Sequence, residues 1–252
     1  MTNHVQINQQ GPVVKIHLNR PEKKNALTVE MYTAIADAIE TANADTSVRA
    51  VFFSGEGESF CAGNDLQDFM ARPPTGPDSP VLRFLKTLRE SDVALIAAVQ
   101  GKAVGVGATM LLHTDHVVLT PDAELHFNFI KMALVPEAAS SMLLPQYVGR
   151  QRAAEILMTG HPVLADEALA TGLAAHVVSP KDAMPTALAF ADKISTLAPA
   201  ALRETKQLMQ RPPEDLAARM HAENLMFMQR LGSPEFAEAV TAFMQKRPPN
   251  FG

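Results

Sequence analysis

With 252 residues, 47% of them hydrophobic and 19% charged, the chain can bury one large core or two small ones, which excludes an intrinsically disordered polypeptide. Its 22 Lys and Arg against 27 Asp and Glu give a net charge of −5, without the basic excess of a nucleic-acid-binding domain. The lone cysteine, Cys61, excludes an intramolecular disulfide, and no Cys/His array provides a structural zinc site. No run approaches the roughly 18 apolar residues of a membrane span, and we read neither a secretory leader at Met1-Thr2-Asn3-His4 nor a peroxisomal address at Pro249-Asn250-Phe251-Gly252. The expectation is a cytoplasmic protein without a membrane or nucleic-acid partner. Thirteen Met and 12 Phe stand against two Tyr and no Trp, a bias that suits flexible apolar packing or an apolar ligand channel.

In chain order, Val5 to Asn8 and Val13 to Leu18 read as two strands split at Gly11-Pro12, a hairpin, with Val14, Ile16 and Leu18 alternating toward a core. Thr28 caps a predicted helix on which Met31, Ile35, Ala38, Ile39 and Ala42 form an apolar face. Ala50 to Ser54 is a further β run, halted by Gly55 and Gly57, and Asp65 is the cap of the helix that follows Asn64. The segment from Arg72 to Pro80 is a flexible loop that ends in Ser79-Pro80, a helix start. Ala94 to Val99 is a strand stopped by Gly101, Val117 to Leu119 follows a short helical stretch, and His126 reads as a strand residue with a satisfied hydrogen bond. From Arg150 onward helix formers dominate: Arg150 to Thr159, Ala165 to Thr171, Asp182 to Leu197, Ala200 to Gln210 and Pro213 to Leu231 are separated by Gly160, Gly172, Pro199, Pro212-Pro213 and Gly232. Strands alternating with short helices predict one α/β core with a helical tail.

Several motifs are set aside. Gly105-Val106-Gly107 lacks the third glycine of a dinucleotide loop, whose place is taken by Met110. His113-Thr114-Asp115-His116 offers three potential ligands in four residues, but it joins an apolar helical stretch to a strand and reads as a buried polar turn. Cys61 reads as a small packed side chain rather than a nucleophile.

Four segments, in this order and spacing, resemble the crotonase, or enoyl-CoA hydratase/isomerase, superfamily. They are Leu18-Asn19-Arg20-Pro21 with Asn25-Ala26-Leu27, Ser59 through Leu66, Ala98 through Gly107, and Ala242 through Pro248. The resemblance implies a ClpP/crotonase-like α/β fold, a spiral of ββα units, with residues 1–195 as the core. It also implies a C-terminal helical region, 196–252, packed on that core and on neighbouring subunits of a homotrimer or a dimer of trimers. It implies an acyl-CoA thioester as substrate, with coenzyme A carried by the substrate and no separate cofactor or metal. The thioester oxygen would sit between the backbone amides of Asn64 and Val106, an oxyanion hole for an enolate. Lys24, Ala26, Ala62 and Leu66 would border the nucleotide and pantetheine, and Phe243 and Lys246 would meet the phosphate or adenine end.

The reaction depends on the acids. By position, the two hydratase acids of the resemblance fall on Thr109 and Phe129, neither of which ionises. Glu137, just after Pro136, matches instead the single acid of the Δ3,Δ2-enoyl-CoA isomerase branch, and Phe129, Met132 and Leu134 could wall an acyl pocket around it. Without the resemblance, Glu137 would be a first-turn acid of the helix it begins, where the dipole lowers its pKa against the effect of burial. The alternatives are a hydratase, thioesterase or other lyase that places water through Thr109 or His126, and a non-catalytic acyl-CoA-binding paralogue.

Overall fold

Gly11, at φ +56, lets the chain reverse between β1 (Val5–Gln10) and β2 (Val13–Leu18), which pair antiparallel with Val5 opposite Leu18. The computed structural model describes residues 4–76, 78–211 and 214–251. Beyond β2 the sheet continues in parallel through β3 (Ala50–Gly55), β4 (Ala94–Val99), β6 (His116–Leu119) and β9 (His176–Val177), in the order β1-β2-β3-β4-β6-β9. A second sheet runs β5 (Lys102–Val104), β7 (Glu124–His126), β8 (Val163–Leu164).

Every residue of β4 is buried, as parallel strands covered on both faces require. The period of two divides them: Val51, Phe53, Leu95 and Ala97 belong to one apolar layer, and Ala50, Phe52, Ala94 and Ile96 to the other. The first layer is shared with α1 (Val29–Ala44) and α3 (Pro80–Arg89), the second with Ala183, Ala187, Ala191 and Ile194 of α8 (Pro180–Ser195). Thr28 caps α1 by accepting from the Met31 amide, and all five apolar residues predicted for its face are buried.

Two short helices follow in the chain, α2 (Leu66–Ala71) after β3 and α4 (Val106–Thr109) after β5, the latter running into a 3-10 turn at Met110–His113. Then come α5 (Ser140–Val148), α6 (Arg150–Thr159) and α7 (Ala165–Ala170). The tail is α9 (Pro199–Gln210), α10 (Leu216–Leu231) and α11 (Pro234–Gln245). Arg203 of α9 donates to the carbonyls of Asn43 and Asp45, and the buried Lys206 donates to the Val93 carbonyl and Asp115, each at 2.7 Å. None of the described helices is long and apolar enough to cross a membrane.

Several boundaries differ from the sequence reading by one or two residues, among them the helix read as Asp182 to Leu197, which is Pro180–Ser195, and three differences go further. α10 starts at Leu216 because Asp215 supplies the cap, whereas the predicted start, Pro213, lies outside the described residues. The segment Pro234–Gln245, which was read only for its motif, is a helix whose Ser233 cap accepts from the Phe236 amide. The helix after Pro136 begins at Ser140, with Ala139 as its cap, so Glu137 precedes it.

Candidate active site

The buried Asn25 ties two loops together, because its side chain accepts from the Arg20 amide at 2.8 Å and donates to the carbonyls of Glu56 (2.9 Å) and Ser59 (2.8 Å). Lys24 and Asn25 hold φ of 51° and 58°, so the Lys24 carbonyl turns to receive the Ala62 amide at 2.9 Å. Two residues on, Leu27 donates to the Gly63 carbonyl (2.7 Å) and accepts from the Asp65 amide (2.9 Å). Peptide groups alternate in extended chain, so the Asn64 N–H between those two bonds points away from Leu27. Asp65 caps α2 through the amides of Gln67 and Asp68 and accepts a 2.8 Å bond from Arg20, the structural role predicted for it.

A second segment abuts the first. Val104 donates to the Cys61 carbonyl at 2.8 Å, and Gly105, at φ 55° and ψ −119°, turns the chain into α4 in a conformation that only glycine adopts freely. A Cβ on Gly107 would lie 2.7 Å from the Cys61 carbonyl oxygen, so the start of α4 is pressed onto the strand that leads to Asn64. The Val106 amide is a first-turn donor with no intrahelical acceptor. Neither the Asn64 nor the Val106 N–H meets a hydrogen-bond acceptor among the described residues. Two fixed, unspent amide donors on touching segments are what an oxyanion requires.

Thr109, fully buried at the end of α4, donates its hydroxyl proton to Glu137 Oε1 in a short hydrogen bond. Glu137 is half-buried, and loss of water pushes its carboxyl above the usual value, with the Thr109 bond opposing. This corrects the first-turn reading. The Glu137 carbonyl accepts from the Ser140 amide (2.9 Å) and hydroxyl (2.7 Å), and the dipole is not what sets the acidity of its side chain.

Of the other residues predicted for the site, Ala26 accepts through its carbonyl from Arg20 at 3.0 Å. Leu66 is 55% exposed at the start of α2. Phe129 is buried in the main apolar layer, while Met132 and Leu134 are more than half exposed. The side chain of Lys24 is exposed beside a cleft of about 580 Å³ that Ser59, Gln100 and Lys102 also line. Phe243 and Lys246 are exposed at the end of α11, and no described hydrogen bond or ion pair joins their side chains to the surroundings of Glu137.

The motifs set aside have local explanations. Burial pushes the Cys61 thiol up to about 12, as suits a packed side chain. His126 meets Glu124 at 2.8 Å, Asp115 accepts from Lys206 and from the Leu95 amide, and His116 stacks on Phe190. No group of three or more metal-ligating side chains occurs among the described residues.

Two partners were missed by sequence reasoning. The buried Tyr32 donates its hydroxyl to Asn64 Oδ1, and its own ionisation is pushed up by burial, then by the charges of Cys61 and Glu137. His113 lies 2.9 Å from the Ala138 carbonyl. Tyr32, placed four residues after the Thr28 cap among apolar neighbours, carried the only signal, a polar hydroxyl inside a buried face.

A family model described as enoyl-CoA hydratase/isomerase matches residues 8–252. Among curated relatives, enoyl-CoA delta isomerase 3 of Mus musculus is 30% identical over 96% of this chain and 78% of that protein. The solved enoyl-CoA hydratase/isomerase of Pseudoalteromonas atlantica is 39% identical and superposes with a TM-score of 0.80, covering 99% of this chain and all of that one. An enoyl-CoA hydratase structure from Polaromonas is 30% identical with a TM-score of 0.89, covering 98% of both chains.

Proposed function

The chain belongs to the enoyl-CoA hydratase/isomerase family, and on that premise we propose that it is a Δ3,Δ2-enoyl-CoA isomerase with Glu137 as its one base. The observation that carries this reading is the pairing of Glu137 with Thr109. At the two positions where hydration would need a pair of acids stand Thr109 and Phe129, and the first of them serves the carboxylate instead of activating water.

The chemistry follows from the donors. The thioester oxygen of a 3-enoyl-CoA lies between the amides of Asn64 and Val106, which acidifies the C2 proton by stabilising the enolate. The Glu137 carboxylate takes that proton, the electron pair delocalises into the dienolate, and the same carboxylic acid returns the proton at C4. A pKa raised by burial strengthens the base for the first half of this cycle. Lys24, Ala26, Ala62 and Leu66 run along the CoA arm, Phe243 and Lys246 take its phosphate or adenine end, and Phe129 and Met132 form part of the acyl wall.

The test is to follow absorbance of the conjugated 2-enoyl thioester formed from 3-enoyl-CoA by folded protein. Turnover without change of mass is expected, and Glu137→Gln should lower the rate about 10²–10⁴-fold while acyl-CoA still binds. A product heavier by one water would establish hydration. Binding without any exchange of the thioester α-proton in deuterated water would establish a non-catalytic acyl-CoA-binding protein.

A further inference from the structure

Eight consecutive residues, from Val106 through α4 and the 3-10 turn to His113, touch the proposed reaction centre three times. Val106 offers its free amide, Thr109 bonds the Glu137 carboxyl, and His113 Nε2 lies 2.9 Å from the carbonyl of Ala138, the residue after the base. A carbonyl only accepts, so Nε2 carries the proton in this contact. Burial lowers the pKa of the imidazole, the bond to the Ala138 carbonyl opposes it, and the cations of Lys206 and Arg89 add to the lowering, so a neutral ring with its proton on Nε2 suits the site.

The carbonyl it holds belongs to an unusual turn. Ala138 and Ala139 take φ of 51° and 55° in succession, a left-handed conformation that alanine disfavours, and neither residue has a side chain that could stabilise it. Ala139 caps α5 without any side-chain hydrogen bond. The turn is held by the amide and hydroxyl of Ser140 on the Glu137 carbonyl, by the amides of Met142 and Leu143 on that of Ala139, and by the imidazole of His113 on that of Ala138, the last reaching it from 25 residues away in the chain. Strained backbone persists where surrounding contacts over-determine it.

Resting on the isomerase reading, we propose that His113 is a positioning residue: its Nε2–H clamps the Ala138 carbonyl, holds the left-handed turn, and thereby fixes Glu137 against the oxyanion donors. One rigid helical stretch then sets both ends of the proton transfer. Misplacing a base by a fraction of an ångström costs rate rather than substrate affinity.

The test compares His113→Leu, which removes the donor, with His113→Gln, whose amide nitrogen reaches the place of Nε2. With 3-enoyl-CoA, His113→Leu should lower kcat about tenfold with KM within about twofold, and His113→Gln should recover to within about threefold of the parent. Hydrogen exchange at the Ser140 amide should quicken in the Leu variant and not in the Gln variant. Should His113→Leu fail to fold, His113→Asn, which is polar but too short to reach the carbonyl, replaces it with the same expected loss. Equal kcat values for the donor-bearing and donor-lacking variants would overturn the proposal. If the parent protein does not isomerise 3-enoyl-CoA, the isomerase reading fails by itself, and the exchange comparison still decides: unchanged protection of Ser140 in the donor-lacking variant rejects the clamp.

Discussion

A carboxyl group whose pKa is raised by burial holds its proton to higher pH when folded than when unfolded. Folding stability contributed by Glu137 is therefore complete below its ordinary value of 4.5 and is lost as pH rises from there through the folded value. Glu137→Gln, which carries no charge, should unfold at a higher temperature than the parent at pH 7, and the gap should close below about pH 4.5; thermal melts across pH read this directly. A constant gap would mean that burial does not cost the anion anything. The Thr109 hydroxyl works the other way, since it bonds the charged form. Thr109→Val should accordingly move the acidic limb of the kcat/KM profile to higher pH, and a limb that stays in place or moves down would refute the donor role.

At the scale of elements, the site is a matter of how closely two segments approach. The strand at Cys61 and the start of α4 meet with no room for a side chain at position 107, where a Cβ would be 2.7 Å from one carbonyl oxygen and 2.8 Å from Cys61 Cβ. Gly107→Ala must push α4 away from Asn64, which widens the gap between the two amides. We expect at least about a hundredfold loss in kcat, since the loss of a single oxyanion donor costs on that order. The variant should retain a cooperative melt, and full activity would show that the amide spacing tolerates a shift. The same closeness explains why the glycines were readable as functional positions only in combination. A glycine before a helix is an ordinary turn signal, and the contact with Cys61 that gives Gly107 its meaning joins residues far apart in sequence.

For the whole molecule, the tail raises the question of a partner. α9 is bound to the core through Arg203 and Lys206, but α10 has no buried residue, and Leu225, Phe227 and Met228 on it and Phe243 and Met244 on α11 are exposed by half or more. Apolar side chains displayed this way in a single chain suit burial between subunits. We expect sedimentation at the mass of three or six chains, and a shift toward monomer for Phe227→Glu; monomers of the unaltered protein would reject the assembly implied by the resemblance. The Met and Phe surplus of the composition is divided, with Phe52, Phe53, Phe60, Phe84 and Phe127 packed in the core and Phe227, Met228, Phe243 and Met244 displayed on the tail.

By itself the sequence determined whatever is decided within one turn or one strand. Thr28 and Asp65 are caps because a short polar side chain reaches amides two or three residues on, and the alternation through β2 and the apolar face of α1 follow from periods of two and 3.6. The two- and three-residue strands β5, β7, β8 and β9 are too short to show a period, and the start of α5 was misjudged because Pro136-Glu137 resembles a helix start while the chain spends two left-handed alanines first. The choice of Glu137 was legible through motif resemblance. Its environment was not, since Thr109 stands 28 residues away, Tyr32 lies 32 residues before Asn64, and His113 precedes Ala138 by 25. Hydrogen bonds over such separations leave no local pattern, because any residue type able to donate fits and only the packing of the sheets decides which one arrives. Tertiary structure therefore settled the balance at Glu137, where removal from water outweighs the bond from Thr109.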